Sequence, residues 1–344
     1  MKKRNNYKHQ CQRSNYSIDG ELEFEIKVPV SPKVMLLYIF ACLLYGTTQL
    51  SMSIITKLND KLYDYSPVFV TLFYMYVFFP INLARYAYNY KISELKQILS
   101  VKDFLELSIG AAVYITENVA TYWILLYVPV SFYIIGRTST AFINVLFSKY
   151  YLKKEIFTSY YYGLACLIVS YILFLIAYTK TDLGTNQIIA IALTFGTSLT
   201  SAFYNNMTER FFDKKKYEDM NQIWLIYQIV FNMYGFLILM PICLYISINH
   251  HDFTSEIGPN VLYSITGFLC QIYLMFKVMI LSSEYYSGNQ ILTVIDLLRR
   301  VTTNIIAYFF FNEFWNTEVI MANIFMVFGC CFIGFSVFQY RSKI

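Results

Sequence analysis

Residues 137–157 read RTSTAFINVLFSKYYLKKEIF, and residues 300–315 read RVTTNIIAYFFFNEFW. Each stretch begins at an arginine near threonine, continues as an apolar run that ends in aromatic residues, and then reaches a glutamate and another aromatic residue. This similarity indicates an internal duplication. The stretches fall in the fourth and ninth predicted membrane spans, so the repeat contains five helices and its second copy must be inserted with the opposite topology.

The composition of the chain predicts an all-α membrane protein. Of its 344 residues, 57% are hydrophobic and 14% are charged, whereas soluble proteins average about 45–50% apolar and about 25% charged residues. Apolar runs of about 20 residues, enough to cross a bilayer as a helix, recur from Val34 onward. They predict ten transmembrane helices at 34–56, 66–88, 104–126, 130–151, 158–178, 186–208, 222–246, 260–282, 288–311 and 319–339.

These spans divide the chain into a polar tail at 1–33, a helical domain at 34–340 and a short C-terminus at 341–344. The two inverted five-helix repeats cover about 34–180 and about 184–340. Most of the 27 lysines and arginines flank the spans on one side, and only a few flank the other: Lys57, Lys61 and Lys180. Since positively charged flanks face the cytosol, we expect both termini to be cytosolic.

Four basic residues are predicted to lie within spans: Arg137, Lys277, Arg299 and Arg300. A charge at the centre of a membrane helix costs about 2.5–3.5 kcal/mol, so such side chains face a protein interior or a water-filled cavity. One interpretation is structural pairing, of Arg137 with Glu117 and of Arg299 or Arg300 with Asp296. The other is an anion cavity in which guanidinium groups bind phosphate oxygens. We favour the second for the set, because two carboxylates cannot neutralise four cations.

Several polar groups in the spans could hydrogen-bond a sugar or a base: Tyr133, Asn144, Tyr227, Gln228, Asn232 and Gln271. Each alone is more often a helix–helix contact than a ligand contact. Lys57, at the end of the first span, either extends to the lipid headgroups or contributes to the substrate site. The three histidines lie outside the spans, and no phosphate-binding loop or nucleophile motif is present. We therefore expect no enzyme, no cofactor, no metal and no nucleic-acid partner.

Three stretches resemble the drug/metabolite transporter superfamily, and within it the nucleotide-sugar and triose-phosphate translocator branch, with the GDP-fucose transporters nearest. Residues 128–154, VPVSFYIIGRTSTAFINVLFSKYYLKK, are similar to span four of that family. Residues 66–74, SPVFVTLFY, are similar to the opening of span two, shortly after Lys57, where the family has an Asn-Lys pair. Residues 297–313, LLRRVTTNIIAYFFFNE, place two arginines where the branch uses Lys or Lys-Arg to hold phosphates.

The family pattern is incomplete at the seventh span. The GDP-sugar members carry Phe-Tyr-Asn-Asn there, whereas this chain has only Tyr227, Gln228 and Asn232 as stand-ins. A Phe-Tyr-Asn-Asn sequence does occur at 203–206, near the predicted cytosolic end of span six, and we expect it not to serve the site. Lys277 is a further departure from the GDP-fucose pattern.

The resemblance implies a Golgi or endoplasmic-reticulum antiporter that exchanges a nucleotide sugar, first of all GDP-fucose, for the nucleoside monophosphate, here GMP. In that interpretation Arg299, Arg300 and Lys277 neutralise phosphates, and the polar residues of spans four and seven meet the sugar or the base. The partners are these anions and the lipid bilayer, and a homodimer stays open. The alternatives are a triose-phosphate or other organic-phosphate translocator, and, from another class, a non-transporting membrane scaffold.

Overall fold

The computed structural model describes residues 66–152, 156–179, 184–215, 218–249, 288–311 and 316–341, together with Leu36, Phe40 and scattered positions between 261 and 281. The tail at 1–33, almost all of the first predicted span, Lys57 and Gln271 lie outside these residues. The helices are α1 Ser66–Asn89, α2 Ile92–Ile98, α3 Val101–Tyr127, α4 Val130–Gly136, α5 Ser139–Tyr150, α6 Thr158–Thr179, α7 Thr185–Lys214, α8 Met220–Asn249, α9 Gly288–Phe311 and α10 Thr317–Arg341.

The prediction of an all-helical membrane protein is confirmed. Every regular element in the described parts of the chain is a helix. Six segments are long and apolar enough to cross a bilayer: Val101–Tyr127, Val130–Tyr150, Thr158–Ala177, Thr185–Lys214, Met220–Asn249 and Thr317–Ser336. The described residues do not test the total of ten spans, which stays a prediction.

Helix α9 has an amphipathic pattern that is reversed from that of a soluble helix. Arg299 and Arg300 are only 6% and 4% exposed, whereas Leu298 and Phe309 are 51% and 74% exposed. A soluble protein would place the charges outward and the apolar side chains in the core. With three charged residues in its middle, α9 is not among the six apolar segments, although its bounds coincide with the predicted ninth span.

Local signals determine both ends of α3 and the beginning of α4. The Ser100 hydroxyl accepts a hydrogen bond from the Asp103 amide at 3.1 Å, which caps the first turn of α3. The other end of α3 precedes Pro129, and Val128 has the extended backbone that a following proline favours. Pro129 then precedes the first residue of α4, where no backbone donor is lost.

Helices α6 and α10 pack against each other with their backbones in close approach. A Cβ atom placed on Gly163 would lie 2.8 Å from the Gly329 carbonyl oxygen, and one on Gly329 would lie 2.8 Å from Leu167. Further along the pair, the buried Ser170 hydroxyl donates to the Ala322 carbonyl at 2.6 Å. Higher residue numbers on α6 therefore meet lower ones on α10, and the helices are antiparallel. Small residues permit this spacing in lipid, where van der Waals contact and hydrogen bonds hold helices together.

Two further helix pairs are also antiparallel. In α1 and α8, the Phe79 and Phe236 rings stack with centroids 6.1 Å apart, and Gln222 donates to the Tyr86 hydroxyl at 3.2 Å. In α5 and α9, the Asn144 amide donates to the Thr293 hydroxyl at 3.3 Å, and the Arg300 guanidinium reaches the Arg137 carbonyl just before α5.

A polar network joins helix ends on the side predicted to face the cytosol. Lys214 pairs with Glu106 at 2.6 Å, and Lys215 pairs with Asp103 at 3.4 Å, which ties the end of α7 to the start of α3. The Tyr90 hydroxyl, just after α1, donates to Asp219 at 2.9 Å, just before α8. Partial burial, together with this hydrogen bond to a carboxylate, raises the pKa of Tyr90 to about 12.

We predict that replacing Gly329 by alanine lowers stability by about 1–3 kcal/mol, because the new methyl group overpacks the contact between α6 and α10. The matched control is Gly196→Ala in α7, where a Cβ meets nothing within 4 Å. The midpoint of thermal unfolding in detergent measures both. Equal midpoints for the two variants would contradict the close approach.

A second prediction concerns alkaline pH. The folded chain holds the Tyr90 proton more tightly than the unfolded chain, whose tyrosine pKa is about 10. The contribution of the Tyr90–Asp219 contact is therefore complete below pH 10 and is lost as the pH rises from 10 toward 12. The stability difference between the wild type and Tyr90→Phe should shrink over this interval, with Tyr88→Phe at a 90% exposed position as control. A difference independent of pH would refute the assignment.

Candidate functional site

The predicted fourth span at 130–151 is confirmed as an apolar segment long enough to cross a bilayer, Val130–Tyr150, but it is not one continuous helix. It consists of α4 and α5, separated by a turn at Arg137 and Thr138. Around this turn the backbone bonds run from residue i to residue i−3, as in Thr138 to Ile135 and Thr140 to Arg137. A short tightened stretch of this kind is a common cause of kinks.

Small and hydroxylated residues explain why the span breaks at this point. Gly136 packs so closely on α7 that a Cβ atom there would lie 2.7 Å from the Thr194 methyl group. The Thr138 hydroxyl donates to the Ile135 carbonyl at 2.6 Å, and the Ser139 hydroxyl donates to the Gly136 carbonyl at 2.8 Å. These side chains supply the backbone with partners that the interrupted helix no longer offers.

The break brings two basic residues of distant sequence together. The Arg137 carbonyl accepts a bond from the Thr140 amide and also from the Arg300 guanidinium of α9. The same Arg137 directs its own side chain to α3, where it pairs with Glu117 at 2.6 Å. Its guanidinium carbon lies 5.9 Å from the centre of the Tyr133 ring. Arg137 thus joins α3, α4 and α9 in the interior of the bundle.

A second ion pair lies within α9. The Arg299 Nε donates to Asp296 at 3.4 Å, and the Tyr273 hydroxyl donates to the same carboxylate oxygen at 3.1 Å. The structural-pairing interpretation is therefore confirmed for Arg137 with Glu117 and for Arg299 with Asp296.

Lys277 is the most isolated of the four cations. It is 4% exposed, and its ammonium lies 4.9 Å from the centre of the Tyr204 ring and 5.8 Å from that of Tyr273. In the described part of the chain it forms no ion pair or hydrogen bond. Aromatic faces attract a cation electrostatically but do not cancel its charge.

We call six residues the central charge cluster: Glu117, Arg137, Lys277, Asp296, Arg299 and Arg300. The charge of Lys277 interacts with those of both carboxylates and with two of the arginines, and Arg300 interacts with Asp296 and the same two arginines. Four positive and two negative groups leave the cluster with a positive excess. The Arg300 Nε is buried and has no hydrogen-bond partner among the described residues.

A small cavity of about 10 Å³, room for about one water molecule, lies beside this cluster, between α5 and α9. Arg300 and Asp296 line it together with Thr140 and Asn144. Pockets that enclose drug-sized ligands usually measure about 300–1,000 Å³. The described structure is therefore a closed state for any ligand of that size.

Hydroxyl and aromatic groups of α7 and α8 extend the site on the side of Lys277. The Tyr204 and Tyr227 hydroxyls lie 2.6 Å apart, and Thr208 reaches the Tyr227 hydroxyl at 3.2 Å. The Tyr227 ring stacks on Phe231 with centroids 4.3 Å apart, and Tyr114 of α3 packs against Tyr204. All these aromatic side chains are buried.

An amide chain connects α7 to the cavity. The Asn206 amide donates to Asn144 at 3.3 Å, and the Asn144 amide donates to Thr293 of α9. The oxygen of Asn206 is buried with no hydrogen-bond partner among the described residues. This series of hydrogen bonds therefore ends at an oxygen that can accept a hydrogen bond from a bound ligand.

The predicted site residues fall into three groups. The structure brings seven together through the contacts above: Tyr133, Arg137, Asn144, Tyr227, Lys277, Arg299 and Arg300. Gln228 and Asn232 are fully buried on α8, and the Asn232 amide nitrogen lies 3.5 Å from the Gln228 side-chain oxygen. No hydrogen bond or ion pair in the described residues joins either of them to the four cations. Lys57 lies outside the described residues.

The sequence interpretation missed Tyr204 and Asn206. They belong to the Phe-Tyr-Asn-Asn sequence expected to lie outside the site, whereas α7 continues to Lys214 and places both residues in the interior. A signal was available in the same helix, since its hydroxyl and amide residues recur every three or four positions: Thr194, Thr197, Ser201, Asn205 and Thr208. All of them are buried.

Comparisons with known proteins show only that the fold is shared with solved structures. No family model matches the chain, and no curated protein matches it. Twenty-seven chains of solved structure do match. One of them, described only as "Crystal structure of protein", superposes with a TM-score of 0.58 at 10% sequence identity, over 88% of this chain and 98% of the other. At that identity the likeness establishes a shared fold and carries no information on activity.

We predict that Tyr227→Phe lowers stability by about 1–3 kcal/mol, because the buried hydroxyls of Tyr204 and Thr208 lose their common partner. Tyr234→Phe, at a half-buried position of the same helix, is the control, since the Tyr234 hydroxyl has no hydrogen bond within the described residues. Thermal unfolding of the purified protein compares them. Similar losses for both variants would mean that the hydroxyl cluster contributes nothing specific.

Proposed function

We propose that this protein is a secondary transporter that carries an organic phosphate across the membrane by alternating access. The central charge cluster is the observation that carries the proposal. Its four cations are buried in the interior of a membrane bundle with two carboxylates, and such charges are retained where they serve a substrate or ion pathway. A scaffold does not need an excess of buried positive charge, because the cations repel each other and make the protein less stable when no anion is bound.

The helix arrangement supports the two inverted five-helix repeats. In the numbering of predicted spans, three of the antiparallel pairs join spans five apart: two with seven (α1 and α8), four with nine (α5 and α9), and five with ten (α6 and α10). Helices related by an inverted repeat run in opposite directions, so these three contacts agree with it, whereas α3 and α7 are an antiparallel pair of spans three and six. The two arginines that begin the similar stretches, Arg137 and Arg300, contact each other at the centre. A discontinuous helix at this point is typical of transporter binding sites.

The chemistry of the lining supports a nucleotide or a sugar attached to phosphate. Guanidinium groups bind phosphate oxygens in pairs, and the stacked rings of Tyr227 and Phe231 suit a planar base. The side-chain oxygen of Asn206, which has no partner among the described residues, can accept a hydrogen bond from a sugar hydroxyl or a ring N–H. Our specific proposal is exchange of a nucleotide sugar, GDP-fucose first, for GMP across the Golgi or endoplasmic-reticulum membrane, with both termini in the cytosol. The cavity has to open to one side to admit such a ligand.

A second candidate is a translocator of a triose phosphate or another small organic phosphate. The four cations suit any phosphate compound, and no hydrogen bond or ion pair among the described residues joins Gln228 and Asn232, the expected base-recognition residues, to those cations. The two candidates differ in the internal anion that drives uptake, and this difference can be measured directly.

The function is tested by reconstituting the purified protein into vesicles loaded with GMP, UMP or phosphate and measuring uptake of labelled GDP-fucose and, in parallel, of labelled phosphate. Arg300→Gln and Lys277→Gln should each reduce exchange at least about tenfold, because a charge-assisted phosphate contact is worth about 1.5–3 kcal/mol. The control Lys102→Gln changes an exposed lysine at the start of α3 and should exchange normally.

Uptake of labelled phosphate into phosphate-loaded vesicles, without uptake of GDP-fucose, would select the second candidate. If both Arg300→Gln and Lys277→Gln exchange at the wild-type rate, the central charge cluster is not the substrate site. No exchange by the wild type with any of the three anions would favour the scaffold.

A further inference from the structure

We infer that Glu117 and Asp296 determine the substrate charge that the site accepts, because among the described residues they leave the central charge cluster with two uncompensated positive charges. The cluster then fits a phosphate compound of charge about −2. This inference rests on the proposed transport function and names the residues that select among its substrates.

Each carboxylate cancels one identified cation. Glu117 pairs with Arg137 at 2.6 Å, and Asp296 pairs with Arg299 at 3.4 Å. The remaining cations are Lys277, which faces aromatic rings, and Arg300, which donates to a neutral carbonyl. Within the described residues, these two supply the charge that a ligand meets, and Arg300 lines the cavity itself.

The low dielectric of the site makes it sensitive to a mismatch in charge. A ligand of charge −2 leaves the cluster neutral, whereas a ligand of −1 or −3 leaves one unpaired charge away from water. Charges a few ångströms apart interact far more strongly in a protein interior than in water, so one unpaired charge lowers affinity by at least about tenfold. A phosphate monoester carries about −1.5 to −2 at neutral pH, which agrees with the excess.

Glu209 offers a matched control within the same bundle. It is a buried carboxylate on α7, 1% exposed, and Glu117 of the cluster is 7% exposed. Glu209 lies five residues beyond Tyr204, about 7.5 Å along the helix axis toward Lys214. Removing its charge should therefore disturb folding as much as the test variants do without altering the charge count at Lys277 and Arg300.

The experiment measures binding to the purified full-length protein in detergent for cyclic GMP, GMP and GDP, whose charges at pH 7.5 are about −1, −2 and −3. Cyclic UMP, UMP and UDP are measured in parallel, so that the effect of charge is separated from that of the base. The wild type should bind the monophosphate at least about tenfold more tightly than the cyclic compound. Glu117→Gln and Asp296→Asn should each shift the preference toward the diphosphate by about tenfold.

The double variant Glu117→Gln/Lys277→Gln has the wild-type excess again and should again prefer the monophosphate. Glu209→Gln should keep the wild-type order. Asp296→Asn and the double variant keep the inference testable even when Glu117→Gln alone does not fold.

The outcomes separate the inference from the function on which it rests. If the wild type binds none of the six compounds, the inference and nucleotide transport fail together. If it binds them without regard to charge, or if the folded variants keep its ratio of diphosphate to monophosphate affinity, the inference alone is overturned. A shift in Glu209→Gln as large as that in Asp296→Asn would also overturn it.

Discussion

Burial of charge in a medium without water is the constraint on which the rest of this structure depends. Each ion removed from water costs several kcal/mol unless partners surround it, and the helices are arranged to provide those partners. α3 contributes Glu117 to Arg137, the break between α4 and α5 exposes a carbonyl to Arg300, and α7 places the ring of Tyr204 against Lys277. The reversed amphipathicity of α9 follows from the same constraint, because its charged side chains have partners only in the interior, while apolar side chains such as Leu298 and Phe309 are exposed.

Two kinds of helix contact therefore coexist in the bundle. Between α6 and α10 the contact is close and mostly apolar, with Gly163 and Gly329 bringing the backbones together and one hydroxyl bond at Ser170. At the centre the contacts are polar and incompletely satisfied, with buried atoms of Arg300 and Asn206 that lack partners among the described residues. Polar groups left in this state cost stability, which is expected where a ligand completes the set.

The sequence predicted the helices well because apolar length is a sufficient signal for a membrane span, and it predicted the buried charges because so few occur between the span ends. It could not predict the break at Arg137, since Gly136 and Thr138 are common in unbroken membrane helices and the apolar run continues past them. It also could not show which helices are neighbours. Tyr204 and Asn206 were assigned to the end of a helix, and only the longer course of α7, together with its contacts to α5 and α8, places them in the site. The two ion pairs were open alternatives until distances distinguished paired from unpaired cations.

The bonds of Asn206 and Thr208 have a further consequence. With Met207 between them they spell an acceptor sequence for N-linked glycans, a motif that usually marks a surface loop of a secreted protein. Here the asparagine amide is held by Asn144 and the threonine hydroxyl lies against Tyr227, and both residues are buried in the middle of the bundle. A glycan has no room at this position in the folded protein. In this protein, residues 206–208 therefore belong to the interior that surrounds the buried charges, although the same motif is usually found on a protein surface.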